Sequence, residues 1–231
     1  MKHKFGKTIV IALGGSIMYP EAIDVLFLKN FRKFILKRLR NGSRFIIVAG
    51  GGRICRIYQD AAKRIAEVTD EDKDWIGIHT TRTNAHLLRT IFKGIADPIV
   101  IDSRDKMKAI KYPITIASGW RPGWSTDYIS IAIAEHFKVK EVIIAGKPAH
   151  IYDRDPNKHG NAKALHEISW KEYRKLIPEK WRPGLHSPVD PVGAKLAEKK
   201  GIAAIIINGK DLKNFGMMLS ECEFKGSIIK S

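Results

Sequence analysis

The chain has 231 residues, of which 44% are hydrophobic and 28% charged, and its formal net charge is +17. This composition excludes a disordered chain, and no apolar stretch is long enough to cross a membrane. The positive charge favours anionic partners such as nucleotides, nucleic acid or an acidic membrane surface, although much of it falls in helix-like runs. Cys55 and Cys222 form neither a disulfide framework nor a metal-binding spacing, so a reducing cytoplasm is the expected location.

Two apolar runs near the start of the chain each end in consecutive glycines. The first run precedes Gly14 and Gly15, and the second precedes Gly50, Gly51 and Gly52. Glycines before a helix let backbone N–H groups approach a phosphate closely, whereas a tight turn that holds no ligand is the alternative. The predicted elements here are strands over 8–13 and 45–49, a loop over 17–22, and helices over about 24–40 and 54–65.

The rest of the chain continues to alternate strands with helices. Its middle part predicts helices over 75–92 and 126–137 and strands over 99–101, 114–117 and 141–145. Its last part predicts a long connection over 146–164, a short helix capped by Ser169, a helix from Asp190 to Lys200, a strand over 203–208, a short helix after Asp211 and a strand near Ile228. The alternation predicts an α/β fold with three αβα layers and a central, largely parallel sheet.

A third glycine-bearing loop, SGWRPGWSTD at 118–127, follows the apolar run 114–117 and opens a helix near Ser125. In open α/β sheets ligands bind at the carboxyl ends of the strands. The three loops, near residues 14, 51 and 119, are therefore expected to meet at one edge of the sheet.

Six segments that run in order along almost the whole chain resemble one known family. They are LGGS at 13–16, VAGGGRICRIY at 48–58, DWIGIHTTRTNA at 74–85, GWRPGWSTD at 119–127, YDRDP at 152–156 and DPVGAK at 190–195. Together they resemble the amino acid kinase superfamily and, within it, the uridylate (UMP) kinases of archaeal type. The resemblance implies one amino acid kinase domain over 1–231, with a phosphate-acceptor half over about 1–137 and an ATP-binding half over 138–231.

The reaction that the resemblance implies moves the γ-phosphoryl group of ATP, with Mg²⁺, onto UMP to give UDP and ADP, a step of pyrimidine nucleotide biosynthesis. The acceptor phosphate is already ionised at neutral pH, so no general base is needed. Catalysis would depend on aligning two anions and neutralising the charge of the transferring group.

The resemblance also implies the site residues. Those expected to bind ATP are Gly14, Gly15, Ser16, Gly52, Arg56, Lys147, Tyr152 and Asp155. Those expected to bind UMP are Gly51, Asp74, Trp120, Arg121, Pro122, Gly123, Trp124, Ser125 and Thr126. Lys195, Ser16 and Arg56 would act on the transferring group, and Asp74 would accept from ribose hydroxyls. The alternatives are surface charges for Arg56 and Lys195, a helix cap for Asp74 and an ordinary loop aromatic for Tyr152.

Two segments depart from the family pattern. Ala12 and Leu13 stand where many relatives carry a lysine, although some archaeal-type uridylate kinases also lack it. GKPAH at 146–150 replaces a Thr-Asn-x-Asp-Gly-like sequence that touches ATP, so that Ala149 occupies the aspartate position and Lys147 the asparagine position. Lys147 would add positive charge beside a phosphate, whereas loss of the aspartate would indicate a changed donor site or lost catalysis.

Three alternative functions follow from these features. A kinase of the same fold for another small phosphate or carboxylate, such as isopentenyl phosphate, is one, because acceptor loops vary within a shared fold. A non-catalytic nucleotide-binding protein is the second, and nucleic-acid binding, which rests only on the charge, is the third and the weakest. The resemblance also implies a homo-oligomer, a hexamer, in which the helix over 75–92 would contribute to an interface.

Overall fold

A computed structural model describes residues 1–156, 158–182 and 187–231. Its strands are β1 (Thr8–Leu13), β2 (Arg44–Ala49), β3 (Ile114–Ala117), β4 (Glu141–Gly146), β5 (Ile151–Tyr152), β6 (Ala164–Leu165), β7 (Glu167–Ser169), β8 (Ala203–Asn208) and β9 (Ser227–Lys230). Its helices are α1 (Gly15–Met18), α2 (Val25–Leu39), α3 (Gly52–Ile65), α4 (Asp70–Ile91), α5 (Thr126–His136), α6 (Trp170–Leu176), α7 (Pro191–Lys200) and α8 (Leu212–Leu219). The predicted α/β class is confirmed.

Seven strands form one sheet in the order β3-β2-β1-β4-β8-β9-β7, and β5 pairs with β6 in a separate hairpin. Neighbours in the large sheet are parallel except β8 and β9, which are antiparallel. The central strand β1 pairs with β2 on one side and β4 on the other, with Leu13 opposite both Ala49 and Ala145. The sheet therefore extends from β1 to both sides. Between the carboxyl ends of β1 and β4 lies the crevice where such sheets bind ligands.

Both faces of the sheet are buried, which explains why its strands read as continuous apolar runs. Ile9, Ile11 and Leu13 of β1 pack into one core with α1, α2, α4 and α8, whereas Val10 and Ala12 pack into a second core with α5, α6 and α7. No helix in the described part of the chain is long and apolar enough to cross a membrane.

The helix cap predicted at Ser169 is confirmed, and three aspartates cap further helices near the starts predicted for them. Asp24, Asp190 and Asp211 accept hydrogen bonds from backbone N–H groups of the first turns of α2, α7 and α8. Ser169 forms a capping box with Glu172 at the start of α6. Because these side chains satisfy N–H groups that a helix leaves unpaired, the sequence locates these helix starts well.

Several boundaries were predicted wrongly. The helix expected over 75–92 begins at Asp70, because Thr69 and Asp72 form a capping box and the acidic first turn suits the positive end of the helix. The strand expected over 99–101 is wrong, since only a single bridge joins Ile101 to Ala117. The loop expected over 17–22 begins inside the short α1, the connection 146–164 contains β5, and β7 was not predicted.

Candidate functional site

The first two glycine turns pack directly against each other at the carboxyl edge of the sheet. The Gly14 N–H donates to the Ala145 carbonyl at 2.9 Å, and the Gly50 N–H donates to the Leu13 carbonyl at 2.9 Å. A Cβ on Gly15 would lie 2.0 Å from the backbone nitrogen of Gly52, whose φ is +77°. Glycine is therefore required at both positions by the contact between the two turns, in addition to any ligand they bind.

Asn84 on α4 fixes the second glycine turn from behind. Its side-chain amide donates to the carbonyls of Gly50 and Gly51 at 2.8 and 3.0 Å, and the residue is only 7% exposed. No role was predicted for Asn84 from the sequence. The available signal was its position on the buried face of α4, one residue before the fully buried Ala85, where a polar side chain needs partners.

The same helix holds the third loop. The Thr81 hydroxyl accepts a hydrogen bond from the Gly119 N–H at 2.8 Å, and the Asp74 carboxylate accepts one from the Gly123 N–H at 2.7 Å. Burial raises the pKa of the Asp74 carboxyl, the Gly123 hydrogen bond opposes this shift, and the negative charges of Asp70 and Glu71 add to it. The helix α4 thus positions the second and third turns relative to each other.

A cavity of about 490 Å³ opens between the start of α4 and the third loop. Its lining residues are Asp70, Glu71, Asp74, Arg121, Pro122, Gly123 and Trp181. Four of these were expected to contact the acceptor, and the structure brings them together around one space. The size falls within the range of small-molecule sites.

The two tryptophans of the third loop have different surroundings. Trp120 is 6% exposed, and its indole N–H donates to the Ile101 carbonyl at 3.2 Å, so its side chain supports the loop from within the core. Trp124 is half-buried, with the Arg121 guanidinium 4.8 Å from its ring centre and the Tyr128 ring at the same distance. Arg121 is thereby held against an aromatic face at the cavity wall.

The starts of α5 and α7 meet beside this loop. Ser125 caps α5, and its hydroxyl also donates to the Asp190 carboxylate that caps α7. Thr126, the first residue of α5, is half-buried. Burial, with the charge of nearby Asp190, raises the pKa of Asp127 well above its ordinary value. Asp127 was not predicted as a site residue, although it ends the third loop motif.

Ser16, Arg56 and Lys195 make no side-chain hydrogen bond or ion pair with any residue that the structure describes. Ser16 is half-buried in the first turn of α1, Arg56 is exposed on α3 one turn after Gly52, and Lys195 is exposed on α7. A hydroxyl and two cations with no internal partner are free to meet an anion.

The residues expected at the ATP end lie at the same sheet edge, beyond β4. Lys147 is exposed and directly follows Gly146, whose Cα is 3.5 Å from where a Cβ of Gly14 would lie. Tyr152 belongs to β5, which is attached through an Ile151 N–H to Ser227 hydroxyl hydrogen bond of 2.9 Å. The backbone carbonyl of Asp155 accepts hydrogen bonds from the N–H groups of Lys158 and His159 and so forms a turn.

His150 anchors the GKPAH segment at 146–150, which differs from the family pattern. No role was predicted for this histidine from the sequence. Its Nδ1 lies 2.8 Å from the Gly226 carbonyl, and its ring contacts His166 edge to face at 5.2 Å. Burial lowers the pKa of His150, opposed by the Gly226 contact, and the charges of His166 and Lys225 lower it further. The GKPAH segment is therefore held by contacts of its own.

Comparison with known proteins gives a consistent result. The model of the amino acid kinase family matches residues 7–208. A uridylate kinase of Thermococcus gammatolerans is 34% identical over 206 residues, which cover 88% of this chain and 91% of that protein. A uridylate kinase of Methanocorpusculum labreanum is 32% identical over 224 residues, covering 96% and 94%.

Solved structures share the fold. The uridylate kinase from Archaeoglobus fulgidus superposes with a TM-score of 0.78 at 24% identity, over 99% of this chain and all of that chain. The UMP kinase from Bacillus anthracis gives a TM-score of 0.75 at 17% identity, over 98% and 97% of the two chains.

Proposed function

Because the chain belongs to the amino acid kinase family, we propose that it is a uridylate kinase that transfers the γ-phosphoryl group of ATP to UMP, giving UDP and ADP. The observation that carries this proposal is the meeting of the two glycine turns at the switch point between β1 and β4, with the Asp74 cavity beside them. Two anionic substrates that must react in line need adjoining sites of this kind.

The donor side of the proposed site lies around the first turn and beyond β4. There the backbone of the glycine turn would contact the ATP phosphates, and the segment from Lys147 to the β5 strand would contact the rest of ATP. The residues proposed for this side are Gly14, Gly15, Ser16, Gly52, Arg56, Lys147, Tyr152 and Asp155.

The acceptor side lies between α4 and the third loop. UMP would lie over this loop, with its ribose toward Asp74. The residues proposed for this side are Gly51, Asp74, Trp120, Arg121, Pro122, Gly123, Trp124, Ser125 and Thr126. Trp120 would act through the backbone of the loop, because its side chain is buried against Ile101.

The chemistry requires charge neutralisation and alignment. The UMP phosphate oxygen is already ionised, so the protein need not remove a proton from it. Ser16, Arg56 and Lys195 are proposed to stabilise the transferring group, and all three lack competing partners among the described residues. A cation without an internal ion pair stabilises the negative charge of the phosphates more strongly than a paired one does.

Mg²⁺ bound with ATP is part of the proposal. No three His, Cys, Asp or Glu side chains of the described residues are grouped to hold a metal ion. Mg²⁺ commonly binds through substrate phosphates with only one or two carboxylates, so the residues present fit an ion that arrives with ATP. Asp127, in the first turn of α5, is the carboxylate proposed to approach the ion, since the neighbouring Asp190 already accepts hydrogen bonds at both oxygens. When bound, the ion neutralises phosphate charge.

We also propose a homo-oligomer, a hexamer as the resemblance implies, with α3 and α4 at an interface. No residue of the 14-residue α3 is buried, and Tyr58 and Ile65 are 59% and 85% exposed. A largely apolar cavity of about 420 Å³, with Tyr58 and Trp75 in its lining, lies between the two helices. A second copy of the chain would cover this apolar surface, and Asn84 at the same cavity would link the interface to the glycine turn. A cytoplasmic location stays a prediction, based on two free cysteines.

The proposed function is tested by coupled ADP release with MgATP and a panel of UMP, CMP and isopentenyl phosphate. We expect turnover with UMP to exceed that with the other acceptors. Arg56→Gln should lower kcat at least tenfold, whereas the matched Arg53→Gln, one turn earlier and paired with Glu21, should change it less than twofold. Negligible turnover of UMP with another acceptor turning over, or nucleotide binding without ADP release, would overturn the proposal.

A further inference from the structure

Trp181 lines the acceptor cavity from a part of the chain that none of the motifs covers. It lies in the connection between α6 and α7, is half-buried, and faces the same space as Asp74 and Gly123. The neighbouring Arg182 also lies close to the start of α4: a hydrogen bond from Lys73 lowers the pKa of Asp70, and the charge of Arg182 lowers it further. Trp181 and Arg182 therefore lie close to the start of α4.

The charges around the cavity determine which end of an acceptor fits there. Asp70, Glu71 and Asp74 all line it, and among the described residues only Asp70 is paired with a cation, Lys73, at 2.7 Å. Arg121 is the one cation among the lining residues that the structure describes, and it is held over Trp124. Asp74 is half-buried, whereas Asp70 and Glu71 are exposed. Carboxylates repel a phosphate, so an acceptor nucleotide would place its uncharged base and ribose here and direct its phosphate toward the glycine turns.

We propose that Trp181 is a specificity-determining residue of the acceptor site, which stacks on the pyrimidine base of the incoming nucleoside monophosphate. This inference rests on the proposed function. The base would lie between the indole and the Pro122 and Gly123 segment, and Asp74 would remain beside the ribose. Trp181 is the aromatic side chain among the lining residues in the described part of the chain.

Stacking by Trp181 would make the acceptor site select nucleotides over acceptors that have no base. A base has a π-face that an isoprenoid or a bare sugar phosphate lacks, and base–aromatic stacking is worth at least a severalfold gain in affinity. The glycine turns recognise only phosphate and would accept either class. The preference for nucleotides over other phosphate acceptors would therefore depend on the residues that line this cavity.

The test compares Trp181→Ala and Trp181→Phe with the wild type under MgATP. We expect Trp181→Ala to raise the KM for UMP about tenfold with kcat and the KM for ATP nearly unchanged, and Trp181→Phe to restore most of the affinity. Inhibition by ribose 5-phosphate, which has no base, should be the same in all three proteins. Tyr112→Ala, which removes another part-exposed aromatic far along the sequence, is the matched control.

The outcomes separate the two proposals. A wild type that does not phosphorylate UMP would refute the proposed function. A wild type that does, with a Trp181→Ala variant whose KM for UMP is unchanged, would refute the stacking role alone. Equal losses for UMP, ATP and ribose 5-phosphate, together with a lowered melting temperature, would show a structural role for Trp181 and would also refute it.

Discussion

The Ser125 hydroxyl donates a hydrogen bond to the Asp190 carboxylate, and this contact joins the first turns of α5 and α7. The same oxygen accepts from the N–H groups of Asp127 and Tyr128. Two helices whose N-terminal ends meet place the positive ends of their dipoles on one side of the site. The pair therefore links the third loop to the helix that carries Lys195.

Ser125→Ala removes a helix cap and leaves the buried Asp190 without one of its partners. We expect a loss of about 2 kcal/mol in the free energy of unfolding, which lowers Tm by roughly 2–4 °C per kcal/mol. Ser125→Thr keeps the hydroxyl and should lose much less. Thermal unfolding followed by calorimetry measures both, and equal stability of the alanine variant and the wild type would contradict the role given to the pair.

Asp127→Asn should make the protein more stable at neutral pH. Burial raises the pKa of Asp127, so the folded state holds this proton to higher pH than the unfolded state does. The free energy of unfolding therefore falls as pH rises above the ordinary pKa of 3.8, and the loss remains at neutral pH. Asparagine removes this cost, so we expect Tm at pH 7 to rise by a few degrees and the gain to vanish near pH 3.

The same variant should lose activity, because Asp127 is the carboxylate proposed to face the metal and phosphates. The exposed Asp60→Asn on α3 is the control, and it should change neither the pH dependence of Tm nor the turnover. A Tm difference that is constant from pH 3 to pH 8 would show that the charge of Asp127 does not cause it.

Much of the fold could be predicted because local chemistry decides it. The positions of β1 after Thr8 and of β2 after Arg44 are all buried, so apolar side chains fill them. The helix starting at Asp70 was placed too late because its first turn is acidic and exposed, so it has no apolar periodicity. The strand β7 is only three residues long and depends on its partner β9 for its hydrogen bonds.

The candidate site shows the same division. The glycine turns could be found because a close approach of backbone restricts those positions to glycine, and the structure packs the first two turns together. Asp74 was implied only by the family resemblance, and the structure bonds it to the third loop. Trp181 could not be found, because it reaches the cavity from a segment outside every motif, and the role of Asn84 was missed although it lies in the motif over 74–85. Only the folded contacts show that Asn84 faces two glycine carbonyls.

Asn84→Ala should disturb the second glycine turn. It removes two hydrogen bonds and leaves the Gly50 and Gly51 carbonyls with fewer donors, so we expect a loss of about 1–3 kcal/mol and a severalfold fall in kcat/KM for UMP. Thr90→Ala, exposed on the same helix, is the control. Unchanged kinetics with a lowered Tm would mean that Asn84 supports the fold but does not shape the site.

Tyr58→Glu should weaken the proposed interface between copies of the chain. It places a charge on the exposed apolar face of α3, and burying that charge in an assembly is costly. We expect a smaller mass by light scattering after size exclusion, with Tm near that of the wild type. Lys63→Glu places the same side chain on another face of α3, with a larger change of charge, and should leave the mass unchanged. Loss of assembly in both variants would argue against a localised interface.

Lys147→Asn restores the residue type that relatives carry and tests whether the GKPAH segment serves the donor site. Lys147 is exposed beside the first glycine turn, so its charge would attract the ATP phosphates through partly screened solvent. We expect the KM for ATP to rise about two- to fivefold at low salt, with a smaller rise at 0.5 M salt and the KM for UMP unchanged. Lys140→Ala, exposed just before β4 and so at the opposite end of that strand, should leave both constants unchanged. A KM for ATP that stays constant in Lys147→Asn would mean that this lysine is an ordinary surface charge that does not serve the donor site.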